Sequence, residues 1–568
     1  MALQSPWDVA DQAASALAPE SGLVNDTDVA ELGRAMGLVM TKAMKNPAAG
    51  LDAIARLSGR LAPIPAVALS RWLGGRPTAP VDLNPKDRRF LDAAWTDNPM
   101  FYALRLTHAA WGQFTDDLVD MVGLDPLTRE KALLALHLMN DAMAPTNYLA
   151  TNPAALKKAF DTGGKSLADG ARNFVDDLLH NEGRPRQVDT SPFVLGQNMA
   201  ATQGKVVFRN QLMELLQYSP RTPQVHAAPL LCSPPWINKY YVMDLAPGRS
   251  FVEWAVDHGR TVFAISYRNP GVEMSGVTMD DYLIHGPQKA LDVIQEITGA
   301  ETIDIVGLCL GGALTAITAA YLNASGDSRV GTLTLLNTLL DYSEPGALKV
   351  FTDERTVARL ERRMAKEGHL KGASMAGTFD IMRANDLIFN YIVSNWLMGQ
   401  QPPAFDILAW NADATRMPAA MHSFYLRNFY VQNKLAKGQL ELAGSIISLG
   451  DIKQETYVVG AQNDHIVPWR SAYAGTKLLS GPVRFVLSSG GHIAGIVNPP
   501  GPKGWYLTGP DAPTAEEWQD EASRHVGSWW EDWSTWSSER AGDLVDPPQM
   551  GSAQHPVLYD APGEYIRT

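Results

Sequence analysis

Thr302-Ile303-Asp304-Ile305-Val306-Gly307-Leu308-Cys309-Leu310-Gly311-Gly312 decides how the rest of the chain reads. A β-branched apolar run stops at a glycine, a cysteine follows two residues later, and further glycines lead into residues 313–322, which have helical character. Strand, sharp turn and helix together give the G-x-nucleophile-x-G elbow, with Cys309 where serine is more usual. Side chains at Gly307 and Gly311 would crowd so tight a turn, and the turn lifts its central residue to the mouth of the sheet. The next amide, Leu310 N–H, falls at the helix N-terminus, where it can stabilise an oxyanion. Taken alone, the stretch also reads as a buried cysteine before a small-residue turn, since free cysteine often fills a core. The flanking chain decides between these readings.

Towards the C-terminus, residues 330–336 form a predicted strand, after which the alternation of strand and helix stops. Residues 341–451 are mainly helical and carry Phe389, Tyr391, Trp410, Phe424, Tyr425, Phe429 and Tyr430. An insertion of this size between two strands is expected to form a cap over the C-terminal ends of the sheet; the plainer alternative is a helical subdomain without gating. The pattern resumes with a strand at 455–460, Asp464 and His465 in its loop, a helix at 469–479, a strand at 483–487, and Gly491-His492 just beyond. Nucleophile, acid and histidine, each following a strand, is the α/β-hydrolase order.

Towards the N-terminus, residues 228–233 and 261–266 read as strands, with helices at 250–258 and 280–297. Alternating α and β units with apolar strands predict a mostly parallel sheet covered by helices. Residues 1–200 read as a separate helical domain with mixed i+3/i+4 apolar spacing and no titratable cluster that suggests chemistry. Asn152-Pro153 suits a helix cap followed by proline at the first helical position. In the tail, Trp529, Trp530, Trp533 and Trp536 are spaced to share a helical face, and packing onto the catalytic domain is the expected role. The fold class expected is thus α/β: an α/β-hydrolase core over 201–568 with a cap at 341–451, preceded by a helical domain over 1–200.

At 568 residues the chain exceeds one typical core. A formal net charge of −13 argues against general nucleic-acid binding. With two cysteines, Cys232 and Cys309, in so large a protein, a reduced cytoplasmic setting is expected rather than a secreted one. No C-x-x-C or H-E-x-x-H spacing marks a metal site. Residues 1–8 lack the basic and apolar regions of a signal peptide, and no apolar run is long enough to span a bilayer. The nearest, residues 61–69, is broken by prolines and reads as a packed helix edge.

Cysteine at the elbow has a chemical consequence. A thiolate attacking an activated acyl group yields a thioester, which keeps the acyl group at thioester energy for a second transfer. Serine would drop it to an oxoester at once. A free thiol with a pKa of about 8.5 needs a neighbouring base at neutral pH, and His492 can supply it, oriented by Asp464. The residues therefore propose a thiol acyltransferase, with a thiol hydrolase as the alternative.

Further stretches narrow the reading: Pro234-Pro235-Trp236-Ile237-Asn238-Lys239-Tyr240-Tyr241, Ser266-Tyr267-Arg268-Asn269-Pro270, Asn463-Asp464-His465-Ile466-Val467-Pro468-Trp469, Gly491-His492-Ile493-Ala494-Gly495 and Gly527-Ser528-Trp529-Trp530. With the elbow box, Asn84-Pro85-Lys86-Asp87-Arg88-Arg89-Phe90 and Val206-Val207-Phe208-Arg209-Asn210, they resemble class I polyhydroxyalkanoate synthases from about residue 80 to 536. The resemblance implies an (R)-3-hydroxyacyl coenzyme A substrate, acyl transfer to Cys309 with release of coenzyme A, and attack by a 3-hydroxyl to lengthen a polyester. It implies His492 as base for the thiol and Asp464 as activator of the hydroxyl, directly or through His492. His465 is implied behind them, and the backbone amides of Leu310 and of Trp236 or Ile237 are implied as an oxyanion hole. It also implies a homodimer on cytoplasmic polyester granules, without a cofactor. Two departures bear on acyl length: Leu310 stands where valine or serine is familiar, and Ala420-Met421-His422-Ser423-Phe424 is less aromatic than usual. The Pro234–Tyr241 stretch leans towards short acyl chains.

Overall fold

The computed structural model describes residues 26–568, so residues 1–8 lie outside the described part. Tertiary contacts divide the chain into two compact units, one running to Asp189 and including Ser374–Pro403, the other comprising Thr190–Ala373 and Ala404–Thr568.

The first unit is helical, and its helices start for a local reason. Those at Pro47–Leu61, Pro99–Met121, Pro126–Ala142 and Pro153–Asp161 follow Asn46, Asn98, Asp125 and Asn152, whose side chains each accept a bond from an otherwise unpaired N–H of the first turn. Proline at the first helical position lacks an N–H that would go unpaired anyway, and each such cap contributes about 1 kcal/mol. Leu106, Ala110, Ala132 and Trp95 are buried in the hydrophobic clusters behind these helices. Ile64 and Ala68 are buried on the helix Ile64–Trp72, while Leu69 is exposed.

The domain boundaries differ from those the sequence suggests. The first unit ends at Asp189 rather than near 200, and it draws in Ser374–Pro403 from the middle of the expected 341–451 cap. The cause is close, polar packing that local periodicity does not reveal. A Cβ on Gly170 would lie 2.0 Å from the Trp396 carbonyl oxygen, so only glycine admits this approach. Asn173 Nδ2 donates to the carbonyls of Asn395 (3.0 Å) and Gln400 (2.9 Å), and Trp396 Nε1 donates to Asp177 (2.9 Å).

The second unit is built on an eleven-stranded sheet. Its strands are β1 (Gly204–Arg209), β2 (Met213–Tyr218), β3 (Leu230–Ser233), β4 (Val262–Tyr267), β5 (Ile303–Leu308), β6 (Val330–Leu336), β7 (Thr456–Ala461), β8 (Val483–Ser488), β9 (Trp505–Thr508), β10 (Ser523–Val526) and β11 (Tyr559–Asp560). The spatial order is β10-β9-β8-β7-β6-β5-β3-β4-β2-β1-β11. The block from β4 to β8 is parallel and its flanks are antiparallel. The fold is that of an α/β hydrolase, with a large, mostly parallel sheet. Sequence reading missed β1, β2 and the edge strands β9 to β11. The helix expected at 280–297 is broken at Gly286-Pro287 into Met279–Leu283 and Lys289–Thr298, because proline cannot donate to the preceding turn.

Arg260 and Asp304 form a buried ion pair at 2.6 Å inside this unit, their side chains 1% and 3% exposed. Asp304, on β5, also accepts from Thr332 N (2.7 Å), and Arg260 donates to the Ala228 carbonyl and to Ser537. The pair thereby ties the base of the elbow strand to its neighbours. Among the described residues no helix is long and apolar enough to cross a membrane.

Candidate active site

The elbow forms between β5 and helix α1 (Leu310–Ala324), and three close approaches fix it. A Cβ on Gly307 would sit 2.5 Å from Gly312 Cα, one on Gly311 2.1 Å from the Ser233 carbonyl oxygen, and one on Gly312 1.9 Å from Thr338 Oγ1. Gly312 is thus a third obligatory glycine that sequence reading did not single out. Between them Cys309 takes φ +52° and ψ −114°, a backbone region that costs a non-glycine residue of the order of 1–3 kcal/mol and recurs at functional sites. Its own N–H donates to the Leu336 carbonyl at 2.8 Å. The strain holds the half-buried thiol at the turn.

Parallel register then brings the remaining groups to the same end of the sheet. Leu308 pairs with Leu336, Leu336 with Val459, and Ala461 with Ser488. Four adjacent strands, β5 to β8, therefore deliver Cys309, Asn337, Asp464 and His492 in turn from their C-terminal ends. His492 Nδ1 lies 2.7 Å from Asp464 Oδ2, and the Cys309 side chain is within electrostatic reach of its ring. The other carboxylate oxygen, Asp464 Oδ1, accepts from the backbone N–H groups of Ile466 (2.8 Å) and Val467 (2.9 Å). Those two bonds fix the acid, and the acid fixes the imidazole tautomer. Burial alone would push the His492 imidazole down; the Asp464 carboxylate and the Cys309 sulfur outweigh it and hold the group well above the ordinary histidine value. The arrangement can accept a proton from the thiol and return it.

Gly311 abuts the Ser233-Pro234 backbone, which sets the elbow against the loop carrying Trp236 and Ile237. Leu310 is the first residue of α1, where an N–H has no intrahelical acceptor. Trp236 is buried and packs edge-on against Tyr425 at 5.7 Å. His465 follows Asp464 in the same loop, but it is Asp464 that bonds His492. Cys232 is buried in β3, where burial raises its thiol pKa, consistent with packing.

Sequence reading missed two groups. Asn337, at φ +43°, donates from Nδ2 to the His492 carbonyl at 2.6 Å while its N–H reaches the Val459 carbonyl at 2.8 Å. The available signal was an asparagine just past an apolar strand, a residue type that tolerates this backbone region. The second group is a cluster of tyrosines. Tyr342, Tyr425 and Tyr430 are all within electrostatic reach of Cys309, and burial raises all three phenols. Tyr425 belongs to helix α2 (Ala419–Tyr425), and its ring meets those of Tyr342 (6.3 Å), Phe429 (5.2 Å) and Tyr430 (5.5 Å). The rings form one aromatic cluster.

The N-terminal unit holds a separate polar cavity of about 440 Å³ lined by Asp87, Arg89, Arg105, His108, Asp116 and His137, among others. Its charges largely pair with one another: Arg89 with Asp87 and Asp141, and His137 with Asp116. It contains no arrangement like that at Cys309.

Residues 229–499 match the family described as alpha/beta hydrolase fold. Residues 86–255 match the one described as poly-beta-hydroxybutyrate polymerase (PhaC) N-terminus. A protein of Methylorubrum extorquens, the poly(3-hydroxyalkanoate) polymerase, is 40% identical over 568 residues, covering 99% of this chain and 94% of that one. The chain belongs to the poly(3-hydroxyalkanoate) polymerase family. The poly(3-hydroxyalkanoate) polymerase subunit PhaC of Cupriavidus necator is 41% identical over 490 residues, or 85% of this chain and 83% of that one. Poly(3-hydroxyalkanoate) polymerase 1 of Ectopseudomonas oleovorans is 41% identical over 483 residues, 84% and 86% of the two chains. In this polymerase-family chain the N-terminal match starts inside the Asn84–Phe90 turn and runs past Asp189, so the family's N-terminal region includes the first strands of the sheet.

Proposed function

We propose that the protein polymerises (R)-3-hydroxyacyl coenzyme A into a polyester through a thioester on Cys309. The observation that carries this reading is a cysteine at the elbow within electrostatic reach of an Asp464-supported imidazole, in a chain aligned nearly end to end with a named polymerase. In the first transfer the Cys309 proton passes to His492, and sulfur attacks the thioester carbonyl. The oxyanion is met by Leu310 N–H and an amide of the Trp236-Ile237 stretch. Collapse breaks the carbon–sulfur bond to coenzyme A, whose thiolate takes the proton from His492. In the second, the 3-hydroxyl of one unit attacks the thioester of another: its proton goes to the Asp464–His492 pair, a carbon–oxygen bond forms, and a thiolate departs. No cofactor is required, since coenzyme A arrives and leaves with the substrate.

The same reading has the enzyme working as a homodimer in the cytoplasm on polyester granules. Exposed Phe160 and Leu179 in the helical N-terminal unit are the kind of apolar side chain that would favour such a surface. The test is to mix purified protein with 3-hydroxybutyryl coenzyme A and follow thiol and turbidity together. Thiol release with turbidity is the expected result. Thiol release with only soluble acid would make the protein a thioesterase, and no release would leave a non-catalytic coat protein.

A further inference from the structure

His492 lies in a segment without regular structure, between β8 and β9, so its position depends on where that segment's carbonyls find donors. The Gly490 carbonyl accepts from Asn463 N (2.8 Å), which ties the histidine loop to the acid loop. The His492 carbonyl accepts from Asn337. The following turns are held by Ser488 Oγ at the end of β8, which donates to the Gly495 carbonyl at 2.7 Å, and by one distant helix, α3 (Trp529–Ser538). Trp529 Nε1 donates to the Gly495 carbonyl at 3.0 Å and Trp530 Nε1 to the Ile496 carbonyl at 2.9 Å. Ser528, the N-cap of α3, donates to the Asn498 carbonyl. Both indoles are buried, Trp529 stacked on Phe251 at 5.6 Å.

The same helix is anchored independently to the sheet. Trp533 Nε1 donates to Thr334 Oγ1 on β6 at 2.9 Å, and Asp532 accepts from Tyr457 on β7 and Arg484 on β8. One face of α3 thus grips β6, β7 and β8, the strands preceding Asn337, Asp464 and His492, while its N-terminal turn grips the histidine loop. Packing alone would need the rings but not two N–H groups aimed at successive carbonyls three and four residues beyond the histidine.

We propose that Trp529 and Trp530 are positioning residues for the acyl transfer, setting the height and rotation of His492 over Cys309 through their indole N–H bonds. The inference rests on the thiol–imidazole reading above and adds to it a function for the tryptophan-rich tail.

Exchanging indole for phenyl removes the donor and keeps most of the ring, so the experiment compares Trp529→Phe, Trp530→Phe and the double variant with Trp533→Phe. The last loses an equivalent buried bond on the same helix without touching the histidine loop. Steady-state turnover of 3-hydroxybutyryl coenzyme A and the rate of iodoacetamide alkylation at Cys309 at pH 7, counted by peptide mass, are read on each full-length protein. The double variant should lose about 10-fold in kcat with KM within about 2-fold, and alkylate about 10-fold more slowly; Trp533→Phe should stay within about 2-fold on both. If the double variant does not fold, each single variant should show a smaller loss in the same two readouts. Equal behaviour of the Trp529/Trp530 variants and Trp533→Phe would overturn the proposal. Absence of turnover in every protein, with the alkylation difference intact, would strike the polymerase reading and leave the positioning role standing.

Discussion

In the proposed mechanism the elbow at Cys309 and the loop at His492 supply the two halves of one proton transfer, and different means hold them in place. The elbow is fixed by steric close approach, Gly307 against Gly312, Gly311 against the Ser233 carbonyl and Gly312 against Thr338, around a strained Cys309. The histidine loop is fixed by groups remote in sequence, namely Asn337, Asp464, Trp529 and Trp530. Steric close approach leaves a site no choice but glycine at the turn. Long-range hydrogen bonds make it depend on the correct docking of several elements at once.

Substitution can break or sharpen this contrast. The largest effect is expected at the elbow itself. Cys309→Ala should reduce coenzyme A release by at least about 10³-fold, because no other thiol occupies a turn of this kind, while Cys232→Ala keeps activity within a few-fold. Strong residual turnover in the Cys309 variant would remove the elbow from the chemistry altogether.

At the meeting point of the two regions, Asp464→Asn should separate the two transfers. Forming the thiolate needs chiefly the adjacent imidazole, whereas a weakly acidic hydroxyl needs a positioned base worth about 10²-fold or more. Rapid-quench experiments with labelled substrate should show acylated protein carrying one or a few units while elongation stalls. Equal slowing of both steps would mean that Asp464 only orients His492.

Within the loop, Asn337→Ala leaves the His492 carbonyl without that donor and is expected to cost about 1–2 kcal/mol of stability and about 10-fold in kcat. Chemical denaturation and steady-state kinetics read the two separately; a stability loss with unchanged kcat would show that the loop does not need this tether for function.

The smallest effect expected is on pH dependence. The folded His492 pKa stands above its unfolded value, so its interactions with Asp464 and Cys309 contribute fully below about pH 6.5 and fade as pH rises through the raised folded value. His492→Gln should flatten the alkaline fall in unfolding free energy relative to wild type. An unchanged slope would show that the pair is neutral in both states.

The same contrast explains what could be read from the chain. β5, the glycine turn and α1 were legible because their determinants are contiguous, and β6, β7 and β8 because buried parallel strands are continuous apolar runs. Asp464 and His492 were found as residues following strands, and the structure brings both together. Asn337 and Tyr342 escaped because their significance depends on partners 155 residues and many turns away. Strands β1 and β2 lie between the helical expectation, which ends at 200, and the first expected strand at 228, and the edge strands are too short to show a period. The Ser374–Pro403 segment looked like the rest of the cap because it too is helical and aromatic. Gly170, the carbonyls that Asn173 reaches and the Trp396–Asp177 bond reveal which unit it joins.

That segment also has a consequence for how the chain is made. The N-terminal unit emerges first from the ribosome but includes residues up to Pro403. Its surface around Gly170 and Asp177 stays bare while the strands through β6 are synthesised, for roughly ten seconds or more at 5–20 residues per second. The first unit therefore cannot complete its fold until Pro403 has been made, long after most of its residues are translated. A fragment ending at Asp189 would expose the seat of Trp396, a natural place for a chaperone to hold the nascent protein.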